Sequence, residues 1–177
     1  IQIENGFVGM VDRSQFDEWL RNRAVQHGAE RRDGIFEKLT REGDLARIHF
    51  KVRDNKSTVD GPMDSILTRA VIGADGAKSQ VGRSAGVKGC AEANYVFAYH
   101  EIVKTPAVKP ASYNPDRCDV FYQKPLSPDF YGWVFPHGAH ASVGMGTGID
   151  GVDLKQATAD LREASGLAVC ETIRREG

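Results

Sequence analysis

Apolar and polar positions along this chain follow two different periods, and the helical one comes first. Apolar residues recur at helical spacing at Phe16, Trp19, Leu20 and Ala24. Asp12 is a favourable N-cap residue, and Gln15 stands three residues later, as in a capping box. Gly28 supplies a left-handed stop. The pattern therefore predicts a helix from about Arg13 to His27.

The charged segment after this helix alternates with the period of β-strands. Strand-like runs cover about 34–39, 45–52 and 65–72, separated by polar turns at 41–44 and 60–62. The third run is apolar enough to join a buried sheet, and it ends at Gly73. This part of the chain predicts a small antiparallel meander.

From Tyr95 onwards the strands become aromatic, and loops rich in proline and glycine separate them. We expect strands at about 95–103, 118–123, 132–136 and 141–146, forming a second, mostly antiparallel sheet. Asp153 is expected to cap a helix that runs to about Glu163, breaks at Gly166 and resumes to Arg175.

Composition and charge argue against several classes of protein. Hydrophobic residues make up 41% of the 177, which is enough for a core and disfavours disorder. A net charge of −1 disfavours a basic nucleic-acid face. No apolar run approaches the roughly 20 residues that cross a bilayer, and we expect no leader sequence at Ile1. The three cysteines are widely spaced without metal-ligand spacing, so we expect reduced thiols, no metal site and a cytoplasmic protein.

Two features could contact a bound anion or nucleotide. The glycine-rich turn 73–79 follows a strand, so Asp75 could accept hydrogen bonds from a ribose, and Gly76 permits close approach of a ligand. The alternative is a plain turn in which Asp75 bonds its own backbone. Arg13 is a cation at a helix N-terminus, which suits an anionic partner such as a phosphate; the alternative is a solvated or locally paired arginine.

Tyr131, Trp133 and Phe135 alternate, so they are expected to share one face of a strand. Three aromatic rings on one face form a flat apolar wall, which suits a flavin ring, a prenyl chain or a hydrophobic core equally. The residues by themselves do not choose among these three. No catalytic residue can be assigned from the sequence.

Taken as a set, three motifs resemble the geranylgeranyl reductase family. They are the run Gly9-Met10-Val11-Asp12-Arg13 with Phe16-Asp17 and Trp19-Leu20, the turn Gly73-Ala74-Asp75-Gly76, and Pro128, Tyr131, Trp133 and Phe135-Pro136. The run from Leu126 to Gly138 is especially similar to the branch that acts in chlorophyll and bacteriochlorophyll synthesis. The resemblance extends from Gly6 to about Gly148.

This resemblance implies a flavoprotein of the para-hydroxybenzoate hydroxylase-like superfamily. Arg13 would contact FAD, and the pair Asp75-Gly76 would lie at the cofactor, with a link to the nicotinamide nucleotide. Tyr131, Trp133, Phe135 and Pro136 would line the cavity for the isoprenoid. FAD, reduced by NADPH or another donor, would deliver hydride equivalents to prenyl double bonds.

The expected fold is an α+β fragment of an α/β flavoprotein. We expect residues 12–92 to form part of an FAD-binding domain and 93–150 a substrate-domain sheet, with a strand at 1–11 paired to that sheet and a helical segment at 151–177. The family's opening glycine-rich loop and its later Gly-Asp segment are not found in the sequence.

We therefore expect the middle of a larger enzyme, inactive and without bound FAD on its own, with sheet edges that favour self-association. The complete enzyme could also associate peripherally with membranes. Two alternatives stay open: an FAD-dependent aromatic hydroxylase of the same superfamily, and a non-enzymatic isoprenoid-binding module.

Overall fold

The computed structural model describes residues 6–53, 61–90 and 92–177 of the chain. These residues form two compact units. The meander unit comprises the described residues of 11–93, and the sheet unit comprises residues 6–10 and 94–177. Each unit has its own sheet and at least one helix.

The predicted first helix is confirmed as α1 (Arg13–Gln26) of the meander unit. The Asp12 carboxylate caps it by accepting a hydrogen bond of 2.9 Å from the backbone N–H of Ser14. Gly28 adopts a φ of 95° just after the helix, which is the left-handed conformation that a helix stop requires. No residue of α1 is buried, and Trp19 is 52% exposed.

Three antiparallel strands in sequential order form the sheet of the meander unit: β1 (Gly34–Glu42), β2 (Leu45–Val52) and β3 (Met63–Thr68). The first two confirm the predicted strands, and Gly43 at φ 60° makes the tight turn between them. The predicted turn at 60–62 begins at Asp60, which lies outside the described residues.

The third strand differs from the prediction, which placed it at 65–72. Strand β3 pairs with β2 from Met63 opposite Lys51 to Thr68 opposite Ala46. Because β2 begins at Leu45, the chain beyond Thr68 has almost no partner left, and the strand ends there. The expected burial is also wrong, since Leu67 is 43% exposed.

The predicted helical turn near Val81 is α2 (Gln80–Ser84). It packs on β1, where the Leu39 backbone N–H donates to the Ser84 hydroxyl at 2.7 Å. Among the described residues of this unit, one hydrophobic side chain is buried, that of Phe50 on β2.

The sheet unit contains five antiparallel strands in the order β5-β6-β7-β4-β8. Their bounds are β4 (Phe97–Lys104), β5 (Asp119–Phe121), β6 (Gly132–His137), β7 (His140–Thr147) and β8 (Thr172–Glu176). The first four confirm the predicted strands. The predicted helix is α3 (Leu154–Ala164), with the Asp153 side chain accepting from the backbone N–H groups of Lys155 and Gln156.

The core of the sheet unit lies between α3 and one face of the sheet. Val134, Val143 and Met145 from β6 and β7 pack there with Leu161 of α3 and with Leu167. Each of these five residues is at most 2% exposed. Side chains alternate along a strand, so the residues between them point to the opposite face.

The C-terminal segment corrects the prediction that the helix resumes to Arg175. Gly166 at φ 71° ends α3, as expected, but residues 172–176 then form β8 along the edge of β4. The Arg162 guanidinium holds the intervening turn by donating to the carbonyls of Leu167, Ala168 and Cys170. The segment 151–177 is thus part of the sheet unit.

The N-terminal segment also differs from the predicted strand at 1–11. Residues 6–11 have no regular secondary structure, and Phe7 is 93% exposed. Residues 1–5 lie outside the described part of the chain.

Candidate functional site

Tyr131, Trp133 and Phe135 share one face of the sheet, as their spacing predicts, and we call them the aromatic row. Their ring centroids follow one another at 6.0 and 6.2 Å. All three rings are partly exposed, whereas Val134 between them points into the core. The row therefore lies on the face opposite α3, which we call the aromatic face.

More rings extend this surface at the Tyr131 end. Phe130 stacks on Tyr131 with centroids 4.3 Å apart, and Tyr122, which follows β5, lies 5.9 Å from the same ring. Tyr122 is 78% exposed. The result is an apolar strip with exposed aromatic carbon, which is the kind of surface that extended apolar ligands contact.

Glycines of β7 make room for these rings. A Cβ atom on Gly144 would lie 2.4 Å from Cζ2 of Trp133, and one on Gly146 would lie 2.5 Å from Cδ1 of Phe130. No real side chain tolerates such distances, so both rings lie directly against the β7 backbone. The absence of side chains at Gly144 and Gly146 thus lets the rings of Trp133 and Phe130 lie flat on the sheet.

The motif residues before β6 anchor this strand to the end of β7. The Ser127 hydroxyl donates to the Gly146 carbonyl at 2.9 Å, and the Asp129 carboxylate accepts from the Thr147 hydroxyl and from the Gly148 N–H. The hydrogen bond from Thr147 is the main reason that the pKa of Asp129 falls below its ordinary value. These contacts explain a serine and an aspartate just ahead of the aromatic row.

Pro136 does not join the aromatic row. It is buried and alternates with the row in β6, opposite the fully buried Ala141 of β7. The structure therefore places Pro136 on the core face, away from Tyr131, Trp133 and Phe135. The predicted cavity position of Pro136 is corrected to a core position.

A polar network crosses the aromatic face, and sequence reasoning missed it. The Trp133 indole N–H donates to the Ser142 hydroxyl at 3.0 Å. Nδ1 of His100 lies 3.0 Å from the same hydroxyl, and its Nε2 lies 2.8 Å from a carboxylate oxygen of Glu176. The alternation of β4 and β7 is enough to place His100 and Ser142 on one face, but Glu176 lies in the segment 151–177 for which the sequence predicts helix rather than a strand.

In the meander unit, Arg13 has a local partner. Its Nε and Nη2 donate to the two carboxylate oxygens of Asp17 at 2.8 and 2.9 Å. This hydrogen bond raises the pKa of Arg13 further above its ordinary value. The side chain is nevertheless 77% exposed, so an anion from solvent can reach it.

Asp75 is engaged with its own loop. Its carboxylate accepts from the Ser79 hydroxyl and from the backbone N–H groups of Gln80 and Val81 at 2.7 and 3.1 Å. The Ser79 hydrogen bond, followed by that from Val81, lowers the pKa of Asp75. Arg13 and Asp75 thus have separate local partners, and Asp75 fixes the shape of the turn that carries Gly76.

Gly76 has the conformational role that the sequence predicts. Its φ is 83°, and a Cβ atom built on it would meet nothing within 4 Å. The backbone at Gly76 is therefore open on that side. Among the described residues, no cluster of histidine, cysteine or acidic side chains is arranged to hold a metal ion, and no helix is long and apolar enough to cross a membrane.

Solved structures share this fold. The chain superposes on a flavoprotein/dehydrogenase from Cytophaga hutchinsonii with a TM-score of 0.67, at 17% identity, covering 96% of this chain and 42% of that one. It superposes on AlpK with a TM-score of 0.54, at 15% identity, covering 93% of this chain and 33% of that one. The mixed α and β fold with antiparallel sheets is confirmed as similar to a flavoprotein fold.

Curated relatives extend the similarity to sequence, although no protein-family profile matches. The geranylgeranyl diphosphate reductase of Rhodobacter capsulatus is 50% identical over 177 residues, which are 100% of this chain and 43% of that protein. The chloroplastic enzyme of Arabidopsis thaliana is 35% identical, over 86% of this chain and 32% of that protein. A digeranylgeranylglycerophospholipid reductase of Methanopyrus kandleri is 31% identical, over 82% of this chain and 36% of that protein.

The chain thus spans less than half the length of the curated relatives named above. The resemblance inferred from the motifs is confirmed, because the similarity to the Rhodobacter capsulatus protein covers the whole chain. This chain is homologous to a segment of the geranylgeranyl reductases.

Proposed function

We propose that this chain forms the prenyl-contacting sheet, and part of the FAD site, of a flavin-dependent reductase that saturates the double bonds of a geranylgeranyl group. The observation that carries the proposal is the aromatic row on the face opposite α3, in a chain homologous to geranylgeranyl reductases. The product class would be a phytyl-type tail for chlorophyll, bacteriochlorophyll or another isoprenoid.

The chemistry of the aromatic row suits a prenyl chain. An isoprenoid tail is apolar, extended and flexible, so it gains from a straight surface of aromatic carbon that is already ordered. Burying apolar area stabilises a complex by about 25 cal/mol per Å². The rings of Tyr131, Trp133 and Phe135 lie along the strand, so a tail parallel to β6 could contact all three.

The residues of the meander unit fit FAD in part. Arg13 offers an exposed guanidinium at the start of α1, which suits a phosphate group. Gly76 offers open backbone, while Asp75 holds its loop by three hydrogen bonds and so acts on a cofactor through loop shape. Bound FAD would supply the hydride equivalent, and NADPH is the electron donor that we expect to reduce it.

Product analysis tests the proposal directly. The complete protein that contains this chain is incubated with FAD, NADPH and geranylgeranyl diphosphate, and the products are identified by mass spectrometry. The proposal predicts the gain of two hydrogens for each double bond reduced. Incorporation of oxygen into an added aromatic compound, with the prenyl compound unchanged, would instead identify an aromatic hydroxylase, and an unchanged prenyl compound bound without flavin would identify an isoprenoid-binding module.

Membrane association, self-association and FAD retention each have a separate test. Flotation with liposomes tests the predicted peripheral membrane association of the complete protein. Sedimentation of the 177-residue chain tests the predicted self-association through sheet edges. A flavin absorbance spectrum of the same purified chain tests whether FAD is retained without further segments.

A further inference from the structure

We propose that Ser142, His100 and Glu176 hold the Trp133 indole in one orientation on the aromatic face, which makes His100 a positioning residue for prenyl binding. The structural part of this inference stands on the network itself. Its functional part rests on the proposed function, because it assumes that the aromatic row contacts the substrate. Trp133 belongs both to the hydrogen-bond network and to the aromatic row, so it links the structural part to the functional part.

The indole N–H needs an acceptor in its partly buried position. The indole N–H donates a hydrogen bond and cannot accept one, so an acceptor at a fixed position favours one orientation of the ring. Ser142 provides that acceptor at 3.0 Å from Nε1 of Trp133. It lies on β7, opposite Phe135 rather than Trp133, so the hydrogen bond runs diagonally between the strands.

A serine hydroxyl rotates freely unless a second group fixes it, and His100 is that group here. Glu176 lies 2.8 Å from Nε2 of His100, and its carboxylate favours the tautomer that carries a proton on Nε2. Nδ1 is then an acceptor for the Ser142 O–H, 3.0 Å away. The hydroxyl lone pairs are left to face the Trp133 indole N–H.

Arg174 holds the Glu176 carboxylate at the exposed end of this network. Arg174 precedes Glu176 by two residues on β8, and its Nε lies 2.6 Å from the second carboxylate oxygen of Glu176. The carboxylate is thus held from two sides, by Arg174 and by His100. The network joins side chains of β6, β7, β4 and β8 across the sheet.

Packing restricts the indole as well. A Cβ atom on Gly144 would lie 2.4 Å from both Cζ2 of Trp133 and Cβ of His100, so both side chains lie tightly against the β7 backbone at that residue. The ring centroids of His100 and Trp133 are 6.0 Å apart. A change at His100 therefore reaches Trp133 through the hydroxyl and through direct contact.

Hydrogen exchange of the indole protons tests the structural part on the chain itself. The chain contains two tryptophans, so ¹⁵N-labelled protein gives two indole N–H signals, with Trp19 of the meander unit as internal reference. Ser142→Ala removes the acceptor of the indole N–H and should accelerate exchange at Trp133 about tenfold, the change that a lost hydrogen bond of about 1.4 kcal/mol gives. His100→Leu leaves the hydroxyl present but free to rotate, so it should accelerate the same exchange by a smaller, measurable factor. His140→Leu, an exposed residue at the far end of the same face, is the control and should leave exchange unchanged.

A conservative variant keeps the test informative if His100→Leu disturbs folding. His100→Asn places an amide near the position of Nδ1, so it can still bond Ser142 but not Glu176. It should restore much of the protection that His100→Leu removes. Unchanged Trp133 exchange in a folded His100→Leu protein, or equal acceleration in His140→Leu, would overturn the inference.

Kinetics of the complete protein separate this inference from the proposed function. His100→Leu should raise KM for the prenyl substrate several-fold and leave reduction of the flavin by its donor unchanged. If Trp133→Ala does not impair prenyl reduction, the prenyl-contacting role of the row is wrong, whatever the exchange data show. If Trp133→Ala impairs it and His100→Leu does not, the positioning role of His100 is wrong.

Discussion

Loss of the Arg162 side chain should strongly destabilise the sheet unit. It projects from α3, is 12% exposed, and pairs with Glu101 on β4, which is also 12% exposed. The same guanidinium donates to the Thr172 hydroxyl at 2.9 Å and to the carbonyls of the turn before β8. Arg162→Ala therefore removes one donor of the largely buried Glu101 carboxylate and leaves several carbonyls without their donor.

The expected cost follows from what remains around Glu101. Removing one partner of a buried ion pair costs about 3–5 kcal/mol. Tyr99, Thr172 and Arg175 still donate to Glu101, at 2.8, 3.2 and 3.2 Å, so we place the loss near the lower end, about 3 kcal/mol. With a urea dependence of about 1–3 kcal/mol per molar, the unfolding midpoint should fall by about 1–3 M.

Urea unfolding followed by Trp133 fluorescence measures this loss. A Trp19→Phe background removes the signal of the meander unit, so the remaining tryptophan reports the sheet unit alone. Arg117→Ala is the matched control, because that arginine is 61% exposed and pairs with Asp119 at the surface of the same unit. A loss below about 1 kcal/mol for Arg162→Ala, or one equal to the control, would refute the reasoning.

Three further predictions concern pH, packing and the cofactor. Burial alone would raise the pKa of Glu101, but its hydrogen bonds outweigh burial and hold the pKa below the ordinary 4.5. The stability that ionised Glu101 contributes is therefore present above pH 4.5 and is lost as the pH falls through the folded-state pKa. In urea unfolding at several pH values, Glu101→Gln should lose less stability relative to the unmodified chain at acid pH than at neutral pH. Gly144→Ala forces a Cβ against Trp133, so near-ultraviolet circular dichroism should change and stability should fall by about 1–3 kcal/mol. Arg13→Ala should weaken FAD retention in the complete protein, whereas Arg21→Ala on the same helix should not. Equal FAD retention in both variants would contradict a contact between Arg13 and FAD and leave Arg13 as an arginine paired only with Asp17.

Local signals predicted the elements of this fold well. Asp12 and Asp153 cap helix N-termini, and Gly28 and Gly166 follow helix C-termini, through contacts within a few residues, as expected. The alternation of Tyr131 with Trp133 placed both on one face because the period of a strand is independent of its neighbours.

Non-local pairing explains what the sequence did not predict. The charged run 172–176 becomes a strand only because β4 offers a free edge, and β3 stops where β2 runs out. The side of β6 that α3 covers decides that Pro136 is buried and Trp133 is not, and no local pattern contains this information. The contact of His100 with Glu176 joins residues 76 positions apart, which spacing alone cannot reveal.

Photo-crosslinking tests the central claim most directly, because it reports where a prenyl chain lies. A geranylgeranyl diphosphate analogue with a diazirine in its tail is irradiated with the complete protein, and the labelled residues are identified by tandem mass spectrometry. The account predicts label on Tyr131, Trp133 or Phe135 of the aromatic face, suppressed by excess geranylgeranyl diphosphate. Label that excess substrate suppresses but that falls only on residues away from the aromatic face would contradict it.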